Sequence, residues 1–154
     1  MTTFLVQMAK PRWTEEALHL ACAMARTSDA DIILLKLMQP QHYSWLGTSF
    51  GFEPDASDIE QVWRYQAIAD SYGVEMNVQP MQYVALVGAL VEAAEQVEAQ
   101  AVFACIPASI IPLWHQYQVW DLRRQLERHG CSLHTLDQPA QAVVSTTRFG
   151  TLRQ

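Results

Sequence analysis

Residues 3–39 read TFLVQMAKPRWTEEALHLACAMARTSDADIILLKLMQ. Thr3 to Met8 is a short apolar, strand-like run that ends near Pro11. In the segment after it, Leu18, Ala21, Cys22 and Ala25 recur at i, i+3, i+4 and i+7, the apolar face of a helix. Thr14 is of the type that caps such a helix, and Glu15 and Glu16 then fall in its first turn, where the helix dipole favours acids. Residues 31–39 are almost continuously apolar, as strands buried on both faces are. Strand, helix and strand at this spacing make a right-handed crossover between parallel strands.

The unit repeats along the chain. After the loop PQHYSWLGTSFGFEPDA, Ser57-Asp58-Ile59-Glu60 reads as a capping box opening a helix that closes at Gly73. VEMNVQPM (74–81) is a third strand. The next helix, YVALVGALVEAAEQVEAQ, carries Leu86, Leu90, Ala93 and Val97 on one stripe. AVFACIP, starting at Ala101, is the fourth strand. WHQYQVWDLRRQLERHG is a fourth helix with Val119, Leu122 and Leu126 inward and Gly130 past its end. CSLHTLD is the fifth strand. Residues 139–154 hold either an extra edge strand or a tail, so the domain proper spans 1–138. The alternation predicts an α/β fold with one parallel sheet between two layers of helices.

Length and composition narrow the function. A chain of 154 residues, half of them apolar and 17% charged, fits one compact domain with a single core. Its net charge of −6 and lack of a Lys/Arg run argue against nucleic acid, whose phosphates need basic groups. No apolar run reaches the roughly 18 residues of a membrane span, and MTTFLVQMAKP lacks the charged leader of a signal peptide. Cys22, Cys105 and Cys131 are odd in number and widely spaced, which suits reduced thiols in a cytoplasm.

Three stretches together resemble the universal stress protein family over residues 3 to about 138. FLVQM with EEALHLACAMARTSDADIILLKLMQP resembles its first strand, long first helix and second strand. ALVGALVEAAEQVEAQAVFACI resembles its third helix and fourth strand, and LRRQLERHGCSLHTLD its last helix and strand. The resemblance implies a five-stranded parallel sheet of order 3-2-1-4-5, in the adenine nucleotide alpha hydrolase-like manner. It also implies a homodimer joined through the last strand and a place in stress response. In such sheets ligands bind beyond the carboxyl ends of the strands where the order reverses, between strands one and four. The relevant loops are therefore Ala9–Trp13 and Pro107–Leu113.

ATP-binding members of that family carry an Asp after strand one and a Gly-x2-Gly-x9-Gly-Ser/Thr loop after strand four. Glycines there let backbone N–H groups turn toward phosphate, helped by a helix N-terminus. This chain has Met8-Ala9-Lys10 at the first place and AVFACIPASIIPLW (101–114) at the second, with no glycine between Gly88 and Gly130. Pro107 and Pro112 also remove N–H donors. The sequence thus predicts a degenerate nucleotide site and no cofactor. If any ligand binds, Met8, Ala9, Lys10, Leu37, Pro107, Ser109 and Trp114 are the expected lining, with Leu37 the apolar wall.

Trp13 and Trp114, each opening a helix at that point, are read as capping the sheet edge or meeting a subunit, with the sharper alternative that one or both plug the cleft with Ile110, Ile111 and Leu113. Lys10 and Arg12 read as solvated charge, with an anion site helped by His115 as the sharper alternative. His129, Cys131 and His134 do not converge on a metal, because strand alternation turns Cys131 and His134 to opposite faces. His19 reads as a surface histidine. Tyr43, Trp45, Phe50 and Phe52 crowd the long loop 41–56, which is expected to pack locally, to present an interface, or to close over the cleft. No base, nucleophile and metal stand at catalytic spacing. The expectation is a dimeric binding module, not an enzyme. The alternative is a small-ligand or nucleotide sensor built on Lys10, Arg12, Ser109 and the aromatic loop.

Overall fold

The computed structural model describes residues 1–38, 56–108 and 110–136. Ser109, the aromatic loop at 41–55 and the segment 139–154 lie outside them. Five strands, β1 (Thr2–Gln7), β2 (Ala30–Met38), β3 (Met76–Gln82), β4 (Ala101–Phe103) and β5 (Ser132–His134), form one parallel sheet of order β3-β2-β1-β4-β5. Four helices connect them: α1 (Pro11–Ser28), α2 (Ala56–Tyr72), α3 (Leu86–Gln96) and α4 (Pro112–Arg128). The strand order and the three-layer sandwich agree with the reading of the sequence.

The sheet separates two cores. On one face Phe4, Val6, Ile32, Leu34 and Phe103 pack against α1 and α2 through Ala17, Leu18, Cys22, Tyr65 and Ala69. On the other face Leu5, Leu35 and Val102 pack against Leu90, Ala93, Leu122 and Leu126 of α3 and α4. Successive residues of β1 serve opposite cores, as the period of two demands. The expected helix faces are the buried ones: Leu18, Ala21, Cys22 and Ala25 in α1, and Leu122 and Leu126 in α4.

The start of α1 differs from expectation. Lys10, not Thr14, is its N-cap, and Pro11 takes the first helical position, where its missing N–H costs nothing. Glu15 and Glu16 therefore stand in the second turn. Glu16 pairs with Arg12 at 3.6 Å, and Glu15 pairs with Arg64 of α2 at 3.8 Å. His19 also joins these helices, its Nδ1 lying 3.0 Å from the Tyr72 hydroxyl. At the other helix ends Gly73 and Gly130 adopt φ of 70° and 72°, the left-handed conformation that stops a helix. The Ser57 side chain is among those not described, so the capping box is left open.

Among the described residues, both sheet edges offer little to a further strand. Glu75 accepts from Ile32 N–H and Tyr83 donates to Met38, so odd-numbered residues of β3 bond to β2. Pro80 is even-numbered, and its missing N–H faces outward. In β5, Ser132 donates to Gln100 and His134 accepts from Ala104, which leaves Leu133 as the outward-facing residue of that short strand. Among the described residues, no helix is long and apolar enough to cross a membrane.

Candidate functional site

The order reversal between β1 and β4 is closed by side chains bonding to backbone. Gln7, the last residue of β1, is buried, and its Oε1 accepts the Cys105 N–H at 2.9 Å. This one amide ties the carboxyl end of β1 to the chain leaving β4. The Met8 N–H is used by the Leu35 carbonyl at 2.8 Å. The Ala9 N–H is used by Thr14 Oγ1 at 2.9 Å, and the same hydroxyl donates to the Lys10 carbonyl at 3.0 Å. Thr14 is thus a fully buried clasp that locks the loop after β1 onto α1 from within the helix. Beyond β4, His115 Nε2–H donates to the Ile106 carbonyl at 3.2 Å, which fixes the imidazole tautomer.

Several backbone donors of the described residues here are already in use. The N–H groups of Met8, Ala9 and Cys105 are already spent on internal acceptors. Pro107 and Pro112 have none to give. Both helices that point into the reversal begin with proline, α1 at Pro11 and α4 at Pro112. Arg12 is extended into solvent and paired with Glu16, while Lys10 is exposed.

The expected lining residues divide into separate groups. Met8 and Ala9 are half-buried against the α1–α2 core. Leu37 packs against the α3–α4 core and is registered with Met81 of β3, one strand away from the reversal. Pro107 and Trp114 are exposed.

The two tryptophans also part company. Trp13 is buried in the α1–α2 core, and its indole N–H has no hydrogen-bond partner among the described residues. The Tyr65 hydroxyl in the same core is likewise unbonded. Burial raises the Tyr65 pKa, and Thr14 acts on it in the lowering direction without reaching hydrogen-bond geometry. Ile110, Ile111, Leu113 and Trp114, by contrast, are 101%, 61%, 74% and 53% exposed. They do not fill a cleft. Helix α4 turns Leu122 and Leu126 to the sheet, which carries Leu113 to the far side and Trp114 to an exposed flank.

The His129–Cys131–His134 stretch has the predicted alternation. Cys131 is buried in the α3–α4 core, with burial pushing its thiol up to about 11. His134 lies on the opposite face, stacked on Phe103 with centroids 4.8 Å apart, and burial lowers its pKa. His129 pairs with Glu95 at 2.7 Å. Cys22 is buried like Cys131, its thiol also raised to about 11 by burial.

Gln7 and His115 were missed as closing residues. Gln7 had a signal, being the polar member of the otherwise apolar run TFLVQM. A polar side chain inside a strand buried on both faces must find a partner. Nothing in the sequence reveals that its partner is the Cys105 amide.

No protein-family model matches the sequence, and no curated protein matches it significantly. Solved structures do match in fold. A universal stress protein in complex with cAMP superposes with a TM-score of 0.60 at 16% identity, covering 90% of this chain and 98% of that one. A universal stress protein from Archaeoglobus fulgidus gives 0.60 at 15% identity over 88% and 93% of the two chains. One from the same organism in complex with dAMP gives 0.54 at 15% identity over 88% and 97%. The chain has the fold of the universal stress proteins.

Proposed function

We propose that this chain is a universal-stress-protein-like binding module that works through protein contacts, as a homodimer in a reducing cytoplasm, and holds no nucleotide at the β1–β4 reversal. The observation that carries this reading is the Gln7–Cys105 hydrogen bond. It occupies, from within the protein, a backbone donor of the chain that leads from β4 into the Pro107–Leu113 loop. The Thr14 clasp on Ala9 and the two prolines act in the same direction. Three free cysteines, two of them buried, suit a compartment that keeps thiols reduced. The role is binding and not catalysis, with a regulatory part in stress response as its setting.

Thermal shift with ATP, AMP, cAMP and dAMP tests it, the last two because fold neighbours were solved with them. A ligand at 100 times its Kd adds about 2.7 kcal/mol, roughly 5–10 °C for a domain of this size. The expected shift is below about 1 °C for all four nucleotides, which is no more than scatter on that scale. A saturable rise that is lost on Lys10→Ala or Arg12→Ala would replace this reading with a nucleotide sensor on the first loop.

A further inference from the structure

Helix α4 is amphipathic in an uncommon way, since the side facing away from the protein is also apolar. Leu113, Tyr117, Trp120 and Arg124 follow one another at alternating spacings of four and three, on the side opposite Leu122 and Leu126. Trp114, Tyr117 and Trp120 form a ladder of rings with centroids 5.7 and 6.1 Å apart. Arg124 closes it, its guanidinium carbon 5.2 Å from the Trp120 ring centroid. Each ring is about half exposed: 53% for Trp114, 52% for Tyr117 and 53% for Trp120.

The area is what makes this face a docking surface. Aromatic side chains offer about 150–250 Å² each, so three half-exposed rings with Leu113, Ile110 and Ile111 present on the order of 600–700 Å². Monomers rarely expose a contiguous apolar patch beyond roughly 300–600 Å². A standard interface buries about 800 Å² per partner, which this patch and its polar rim would supply. Trp, Tyr and Arg are also the residues in which interface binding energy concentrates.

We propose that the outward face of α4 is the contact between two copies of this chain, packed antiparallel across a two-fold axis. The inference deepens the reading above and rests on its premise that the chain works through protein contacts. The stripe is self-complementary in that orientation. With the axis between Tyr117 and Trp120, each Tyr117 meets the partner's Trp120, and each Leu113 meets the partner's Arg124. An isologous contact needs this matching of a surface to itself. The cation then lies over apolar and aromatic surface of the second copy as it already does over Trp120. Edge strand β5, with Leu133 as its outward residue, offers far fewer bonds to a partner.

The test is the mass of the full chain in solution, by light scattering and sedimentation. The wild type is expected to be a dimer. Tyr117→Glu with Trp120→Glu is expected to give a monomer with unchanged circular dichroism and a Tm that no longer rises with protein concentration, since both side chains stand on the surface. In a Cys105→Ser background, Leu113→Cys with Arg124→Cys is expected to form a disulfide-linked dimer on mild oxidation. Those positions lie about 16 Å apart along one helix and cannot bridge within a copy. A monomeric wild type, or a dimer that survives the double Glu variant, overturns the proposal. A dimer lost in the Glu variant that fails to cross-link overturns the antiparallel arrangement. Nucleotide binding leaves these readouts unmoved, so the two readings fail separately.

Discussion

At the scale of single residues, Gln7 shows how one buried amide closes the corner between β1 and β4. A carboxylate at the end of β1 could face a sugar or a cation. An uncharged amide that accepts the Cys105 N–H instead joins two loops that diverge in opposite directions. Gln7→Leu keeps the volume and removes the acceptor of the half-buried Cys105 N–H. The expected loss is about 1–3 kcal/mol in chemical denaturation, because an orphaned donor forfeits its hydration without compensation. A cost well under that range would mean that water serves Cys105 equally well. Sequence reading found Met8, Ala9 and Lys10 as neighbours of this corner but not the residue that closes it. Pattern shows that Gln7 is polar and inward, while the partner of its amide depends on a contact 98 residues away.

At the scale of elements, α1 shows why boundaries were less legible than faces. The buried face of the helix was readable because four apolar residues repeat with its period, and all four are in the core. Its start was not readable from Thr14, because threonine has two uses near a helix beginning. It can cap from outside, or sit in the second turn and bond back to the carbonyl four residues earlier. Pro11 at the first helical position decides for the second use. Thr14→Val keeps the shape and loses both bonds, to Ala9 and to Lys10. The expected destabilisation is about 1–3 kcal/mol by denaturant titration, with Thr14→Ser recovering most of it. Helix α4 gives the converse case. Its inward residues Leu122 and Leu126 were legible, whereas the sequence left Trp114 between capping the sheet, meeting a subunit and plugging the cleft. Topology places a loop at the mouth of a sheet, but the helix rotation set by Leu122 and Leu126 decides where Trp114 points.

At the scale of the whole molecule, the fold was legible because alternation of elements, buried strands and crossover handedness leave few topologies for a chain of this length. Function was less so, since sites are grafted onto folds, and topology places this corner without naming the hydrogen bonds made in it. The outward N–H missing at Pro80 adds something about how many copies can join. Considered as a surface on which strands polymerise, the sheet has one terminated end at β3 and one short end at β5. Among the described residues the β3 end is the one closed by a proline, and a sheet closed at one end cannot propagate from both ends into a fibre. Pro80→Thr would reopen the terminated end. Folding stability is expected to change by no more than about 0.5 kcal/mol, as for most exposed positions. Light scattering on concentrated samples is expected to show species larger than the wild type's, and an unchanged size distribution would mean that the chain terminates its sheet by other means.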